Sequence, residues 1–519
     1  MTSSFTEMLA AGYGFTDPAI TLGAALEGAA VHREPKVRIP LAMMNRHGLV
    51  AGATGTGKTR TLQLLAEQLS VQGVPVFVAD IKGDLQGLAA DGTASERIGS
   101  RAADIGYEWK ALSAPVEFVS LTGRLGVQLR ATVSSFGPLL LARVLRLNET
   151  QTSVLALVFK YCDDRGLPLL DFGDLRAVLQ YLSGPEGKRE LAEYGSMSAQ
   201  TVGVLLRKMV ELEQQGAEQF FGEPEFDVLD LLVTTPDGRG VITCLELSDT
   251  QDKPALFSTF MMWLLSELYQ NLPEAGDLAK PKLVFFFDEA HLLFDQAPKA
   301  FLEQIQQVVR LIRSKGVGVF FVTQTPKDVP SDVLAQLGNR IQHALRAHTP
   351  DDDKALRATV RTYPKTAFYD LEETLTSLGI GEAVVTCLDP NGVPTPVVAA
   401  RLIPPGARMD TLTPQELQAE LQSSDLLAEY GKAVDRESAR EMLAARMEAT
   451  RPPEPAAPAP SRRGRQPAGA METAGKRVAG AMGTQIGRAI GTAVMRGLMG
   501  ALGVKPRRRT VRRRSSWGF

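Results

Sequence analysis

The sequence predicts an α/β fold built on a doubly wound, mainly parallel sheet, and three observations predict it. Short apolar runs recur without polar alternation, as strands buried on both faces require. Helical stretches with apolar residues three and four apart lie between those runs. One strand-to-helix junction, Gly52-Ala53-Thr54-Gly55-Thr56-Gly57-Lys58-Thr59, is a complete P-loop, G-x-x-x-x-G-K-[ST]. Strands alternating with helices imply parallel pairing with helices on both faces.

Taken in order, residues 1–45 are a lead-in with little pattern, and the core is read as 46–405. His47–Ala51 is a short strand before the P-loop. Thr59–Gln72 is the helix after it, with Leu62, Leu65, Ala66 and Leu69 on one face. Val74–Asp80 and Val116–Leu121 are further strands. Residues 138–220 turn helical, through Leu139–Leu147, Val154–Tyr161, Leu175–Leu182 and Thr201–Gln214, and read as a helical insertion. Strands return at Gly240–Leu247, Lys282–Asp288 and Val317–Thr323, with helices at Phe257–Tyr269 and Ala300–Ser314. Ile341–Ala347 and Ala383–Leu388 complete the sheet. Residues 406–450 are charged and helical, and 451–474 read as a disordered linker rich in Pro, Ala and Arg. Residues 475–519 form a disordered tail, Gly-rich at first and polybasic at its end.

The charge is uneven. The whole chain nets −2, but residues 451–519 carry fifteen Lys/Arg against two Glu, a net of +13, which leaves −15 on the other 450 residues. An acidic body with a basic tail points to nucleic acid or an anionic membrane as a partner of the tail rather than of the body. Cys162, Cys244 and Cys387 lie far apart with no C-x-x-C pair, which argues against a disulfide framework or a metal cluster and suits a reducing cytosol. Neither a signal peptide nor an apolar run of membrane-spanning length is found. The expected location is cytoplasmic, with peripheral membrane contact through the tail as its variant.

The P-loop carries a definite chemistry. Its glycines let backbone N–H groups close around phosphates, and the helix N-terminus adds partial positive charge. Gly52, Ala53, Thr54, Gly55, Thr56, Gly57, Lys58, Thr59 and the following Arg60 are the expected nucleotide-binding residues. Lys58 reaches the β- and γ-phosphates and Thr59 ligates Mg²⁺. Asp288-Glu289, after the apolar run Leu283–Phe287, supplies the acidic half of the site. Asp288 holds the metal and Glu289 polarises the attacking water as general base. Two acids at the end of a triple-phenylalanine strand are costly to bury without a metal or a partner.

Gln324 ends the next strand, where it can orient that water. Arginine acting from a neighbouring subunit is expected from Arg313 first, then Arg346, then Arg310 and Arg340. Asp80 and Asp84 are candidates to support the metal ligands. His291 reads as a coupling residue or helix cap, and His32, His47, His343 and His348 as unremarkable. No N-K-x-D motif follows the P-loop, which disfavours a GTPase, and no second RecA-like unit accompanies Asp288-Glu289-Ala290-His291 as a DEAH-box helicase needs.

Gly52–Thr59, Asp288-Glu289-Ala290-His291, Arg310–Gly318, Thr323-Gln324 and the stretch Gly338–Asp352 occur in that order. Together they resemble the HerA/FtsK class of RecA-like ATPases, and more narrowly its bacterial HerA-like subgroup, over roughly residues 35–405. The resemblance implies a RecA-like core with an additional strand between the P-loop strand and the Asp288 strand. It implies ATP as the nucleotide, hexameric rings with ATP at subunit interfaces, and motor action on double-stranded DNA. Only residues 1–51 precede the P-loop, too few for the N-terminal β-barrel of HerA. Thr325 stands where HerA-type motors commonly carry Arg. Two functions follow as expectations: an oligomeric DNA motor, or a regulatory or scaffolding ATPase that meets an anionic membrane through its tail.

Overall fold

The computed structural model describes residues 4–294, 299–347, 349–434 and 436–450. The linker and tail expected at 451–519 lie outside the described residues. Strands of the described residues form one twelve-stranded sheet. In chain order they are β1 (Ala19–Glu27), β2 (Ala30–Pro40), β3 (Gly48–Ala51), β4 (Val76–Asp80), β5 (Val116–Ser120), β6 (Val127–Gln128), β7 (Ile242–Glu246), β8 (Leu283–Phe287), β9 (Val317–Thr323), β10 (Asn339–His343), β11 (Glu382–Thr386) and β12 (Val398–Leu402). Their order across the sheet is β2-β1-β12-β11-β10-β3-β9-β8-β4-β7-β5-β6.

Every pairing from β10 to β6 is parallel. Every pairing from β10 to β2 is antiparallel. The additional strand is β9, between the P-loop strand β3 and the Asp288 strand β8. This order and the P-loop between β3 and its helix define a RecA-like fold with one inserted strand.

The apolar strand runs are explained by the two faces they serve. Phe285, Phe287, Val319 and Phe321 point to one face. Val284, Phe286, Phe320 and Val322 point to the other. A strand alternates its side chains, so burial on both faces demands a continuous run. Phe286 packs on Phe320 at 5.3 Å and Phe287 on Phe321 at 5.6 Å between ring centroids. Replacing either fully buried ring by alanine costs about 3–5 kcal/mol.

The second of these faces is covered by α1 (Phe5–Tyr13) and α2 (Lys58–Val71), the latter through Leu62, Leu65, Ala66 and Leu69. Beyond it, α3 (Glu96–Ile105) follows β4. The first face takes the helices after β6: α4 (Val133–Val144), α5 (Glu149–Arg165), α6 (Phe172–Ser183), α7 (Pro185–Leu191) and α8 (Ala199–Gln214). α9 (Pro254–Asn271) packs there as well, through Phe260, Trp263 and Leu264. The short α10 (His291–Phe294) and α11 (Lys299–Ile312) lie between β8 and β9 in the chain.

Residues 1–45 differ from the expectation of little pattern. They hold α1, β1 and β2, which extend the sheet beyond β12. β2 reads AVHREPKVRIP and is half exposed, so its charged outer face masks the strand period. The strand expected at Ile341–Ala347 starts earlier and stops at His343, since Ala344 O leaves the ladder to accept Ala53 N–H. Among the described residues, no helix is long and apolar enough to cross a membrane.

Candidate nucleotide-binding and hydrolysis site

The P-loop closes against its neighbours through backbone bonds. Gly52 N–H donates to Thr323 O at 3.2 Å, Ala53 N–H to Ala344 O at 2.8 Å, and Gly381 N–H to Thr56 O at 2.9 Å. A Cβ on Gly52 would fall 2.5 Å from His343 Cβ, and Gly57 holds φ +113° beside Gly381. Both positions therefore need glycine for close approach or for backbone angle. Helix α2 begins at Lys58 with no side-chain cap on its first turn. Its leading N–H groups are free to meet an anion.

Lys58 is buried and folds back on its own loop. Its Nζ donates to Gly52 O at 2.8 Å and to Ala53 O at 3.2 Å. Burial lowers its pKa, against the attraction of Glu289. An ammonium held only by carbonyl oxygens is ready to exchange them for phosphate oxygens.

Asp288 stands at the end of β8, two strands from β3. Burial, and then Glu289, Asp80 and Asp84, push its carboxyl up to about 7. Carboxylate oxygens of Asp80, Asp84 and Asp288 lie within 4.8 Å of one another. Asp288 Oδ2 and Asp84 Oδ1 are buried and have no hydrogen-bond partner among the described residues. Thr59 Oγ1 reaches Asp84 Oδ2 at 3.5 Å. Hard oxygen donors crowded together with unpartnered atoms fit a divalent cation. Thr59 and Asp288 would hold it, with Asp84 between them.

Asp80 does other work. It accepts the N–H groups of Lys82 at 3.1 Å, Gly83 at 2.7 Å and Leu85 at 2.9 Å, and so shapes the turn after β4. It also lies beside Cys244 and Glu246, with ligand atoms within 4.8 Å. Burial and then Asp80 raise the pKa of Glu246. The cysteine spacing gave no sign of this cluster, because β4 and β7 bring Asp80 opposite Glu246 only in the sheet.

Glu289 is buried and sits at φ +46°, a left-handed backbone rarely adopted by glutamate. Its Oε1 pairs with Lys82 Nζ. His291 Nδ1 lies 3.2 Å from Oε2, close enough for an ion pair but not aligned as a hydrogen bond. Gln324 is exposed at the tip of β9, between the strands that bear the P-loop and Asp288. Thr325 caps the following turn, its Oγ1 donating to Asp328 Oδ1 at 2.7 Å.

The topology sets the candidate arginines apart. Arg313 precedes Val317, the first residue of β9, so it lies at the sheet edge opposite the P-loop. Seven strand residues at about 3.3 Å each put it roughly 20 Å from the P-loop of its own chain, so it could serve only the site of a neighbouring subunit. Arg346 is exposed two residues past Ala344, on the P-loop edge. Arg340 is spent on Thr362 O at 3.0 Å and on the Tyr363 ring, and Arg310 is exposed on α11.

His47 and His343 are not unremarkable. His343 is fully buried behind the P-loop, with Nε2 2.9 Å from Thr61 Oγ1, and burial and then Lys58 lower its pKa to about 4. His47 Nδ1 accepts Val319 N–H at 3.0 Å and so links β3 to β9. Arg60 donates to Gln63 Oε1 at 3.0 Å and faces a cavity of about 300 Å³. Gly57, Thr61, Arg101, Ile380 and Pro404 also line it. The cavity lies beside the start of α2.

Fold and site together define a RecA-like P-loop NTPase. The chain belongs to the helicase HerA-like C-terminal family, whose model matches residues 27–509. It is 21% identical over 364 residues to the DNA double-strand break repair helicase HerA of Sulfolobus acidocaldarius, covering 69% of this chain and 66% of that protein. It is equally 21% identical over 361 residues to the HerA helicase of Saccharolobus solfataricus, covering 69% of this chain and 65% of that one. The chain thus spans just under two thirds of the length of these curated relatives. Among solved structures, the bacterial conjugative coupling protein TrwB aligns with a TM-score of 0.49 and 15% identity, covering 79% of this chain and 100% of TrwB. VirB4 of Thermoanaerobacter pseudethanolicus aligns with a TM-score of 0.47 and 14% identity, covering 78% of this chain and 99% of VirB4.

Proposed function

We propose that the protein is an ATP-hydrolysing, oligomeric motor acting on double-stranded DNA. The observation that carries the hydrolysis is the meeting of Lys58, Thr59, Asp288 and Glu289 at one sheet edge, with buried carboxylate oxygens lacking partners. In this reading the N–H groups of Gly55–Thr59 and the first turn of α2 bind the phosphates. Lys58 leaves Gly52 O and Ala53 O for the β/γ oxygens. Thr59 and Asp288 would hold a Mg²⁺ ion, which would supply positive charge beside the phosphates. Glu289 takes the proton of the attacking water, and Gln324 orients that water. Arg346 reaches the γ-phosphate of a neighbouring subunit in a ring, expected to be a hexamer. The DNA part is supported by the family and by relatives named as DNA break-repair helicases.

A second reading keeps the hydrolysis and replaces the track. The fifteen basic residues of 451–519 favour contact with an anionic surface, which would make the protein a regulatory ATPase peripheral to a membrane in the cytoplasm. ATP turnover of the full chain with and without linear duplex DNA at low salt, with Glu289→Gln as blank, decides between them. Turnover that rises several-fold on DNA supports the motor. Turnover that ignores DNA but responds to vesicles containing anionic lipid supports the second reading.

A further inference from the structure

Glu289 is the general base in the proposed hydrolysis, and Lys82 holds it. The turn that carries Lys82 is fixed from three sides. Asp80 takes the N–H groups of Lys82, Gly83 and Leu85, Gly83 adopts φ +73°, and Gln251 Nε2 donates to Ile81 O at 2.6 Å. From that anchored turn on β4 the ammonium crosses to the adjacent strand and closes on Glu289 Oε1. The lysine is about half exposed and the carboxylate is buried. Glu289 itself stands on a left-handed backbone, which the surroundings must enforce.

An ammonium on a carboxylate oxygen occupies one of its lone pairs and stabilises the anion, so the paired carboxylate is a weaker base toward water than the free one. Lys82 takes Oε1, while Oε2 lies 3.2 Å from His291 Nδ1 without a hydrogen bond, so Lys82 is the group that holds the general base. We infer that Lys82 is a positioning residue that restrains Glu289, so that the fraction of time the ion pair is open limits basal turnover. The inference rests on the ATPase reading and on Glu289 as its base. It distinguishes Lys82 from Lys58: one lysine holds the protein's own carboxylate, the other is placed for phosphate. Loss of the restraint raises kcat by the inverse of the competent fraction, about three- to ten-fold if the pair is closed for most of the time. Among the described residues the ion pair of Lys82 is to Glu289 and not to the P-loop, and its charge repels that of Lys58, so the KM for ATP is expected to change little.

The test is steady-state phosphate release by the full-length protein, comparing wild type, Lys82→Ala, Lys82→Gln and Lys82→Arg, with Glu289→Gln as background. The expected result is a raised kcat in both neutral variants, a KM for ATP within about two-fold of wild type, and return to the wild-type rate in Lys82→Arg. An ATP-dependent thermal shift verifies the fold of each variant, and Lys82→Gln carries the comparison if Lys82→Ala loses that shift. A kcat equal to or below wild type in folded variants overturns the restraint while leaving the ATPase reading intact. Wild-type release no greater than that of Glu289→Gln overturns the ATPase reading and the restraint with it.

Discussion

Glu67 gives a quantitative test of how α2 is fastened to the chain beyond the sheet. It is buried, its Oε1 accepts Gly406 N–H and its Oε2 accepts Ala407 N–H, each at 2.9 Å. Burial raises its carboxyl to about 7, with those two bonds pulling the other way. Glutamine at this position offers one acceptor and turns its amide donors toward the second N–H, leaving that group unpaired at a cost of about 1–3 kcal/mol. The wild-type carboxyl also titrates differently in the two states. Below its unfolded value of about 4.5 both states are protonated and nothing is lost; as pH rises through 7 the folded state must ionise a buried acid, and stability falls. From about pH 5.5 to about pH 8.5 that loss amounts to about 2 kcal/mol at roughly 1.4 kcal/mol per pKa unit. Glutamine does not titrate. Glu67→Gln is therefore expected to be the less stable protein at the lower pH and to close the gap by about 2 kcal/mol at the higher one. Urea unfolding of both proteins at the two pH values, followed by tryptophan fluorescence, measures the gap, and other ionisable groups cancel in the difference. A gap that is constant within about 0.5 kcal/mol, or that widens with pH, refutes the burial argument.

Three further outcomes are expected at the site. Lys58→Ala weakens ATP binding about ten-fold or more, read by titration with a fluorescent ATP analogue, because a buried phosphate charge loses its cation; unchanged affinity removes Lys58 from the phosphate. Glu289→Gln retains binding in the same titration and loses about 10²–10⁴ in turnover, the usual share of a general base. Arg346→Ala lowers turnover by about 10³ if it acts between subunits, while Arg313→Ala stays close to wild type; the reverse ranking in a phosphate-release assay would show that the neighbouring subunit presents its other sheet edge.

The parallel half of the sheet was legible because each strand is buried on both faces and announces itself as an unbroken apolar run, Leu283–Phe287 most clearly. Of the antiparallel half only β11 was, within Ala383–Leu388; β1, β2 and β12 were not. Its edge strand β2 carries His32, Arg33, Glu34 and Lys36, and β1 reaches β12 only across more than 370 residues of chain, through pairs such as Gly23 with Leu402. Within the site, Gly52–Thr59, Asp288 and Glu289 could be named from motif alone, since each motif ends a strand and strand ends share one edge in a parallel sheet. Lys82, Asp84 and His343 could not be ranked, because their proximity depends on strand order. That Arg313 precedes β9 while Arg346 follows β10, at opposite strand ends, likewise emerges only from the fold.

The seven-residue strand β9 is buried along its whole length and hydrogen-bonded on both sides, to β3 and to β8. Its amides should exchange with deuterium among the slowest in the molecule, opening only when the domain as a whole unfolds. The tip of this immobile rod presents Gln324. A cycle of nucleotide turnover therefore has no slack at its centre in which to store displacement. In the proposed cycle, whatever travels must do so away from this rod, toward the exposed ends of the strands and the short α10.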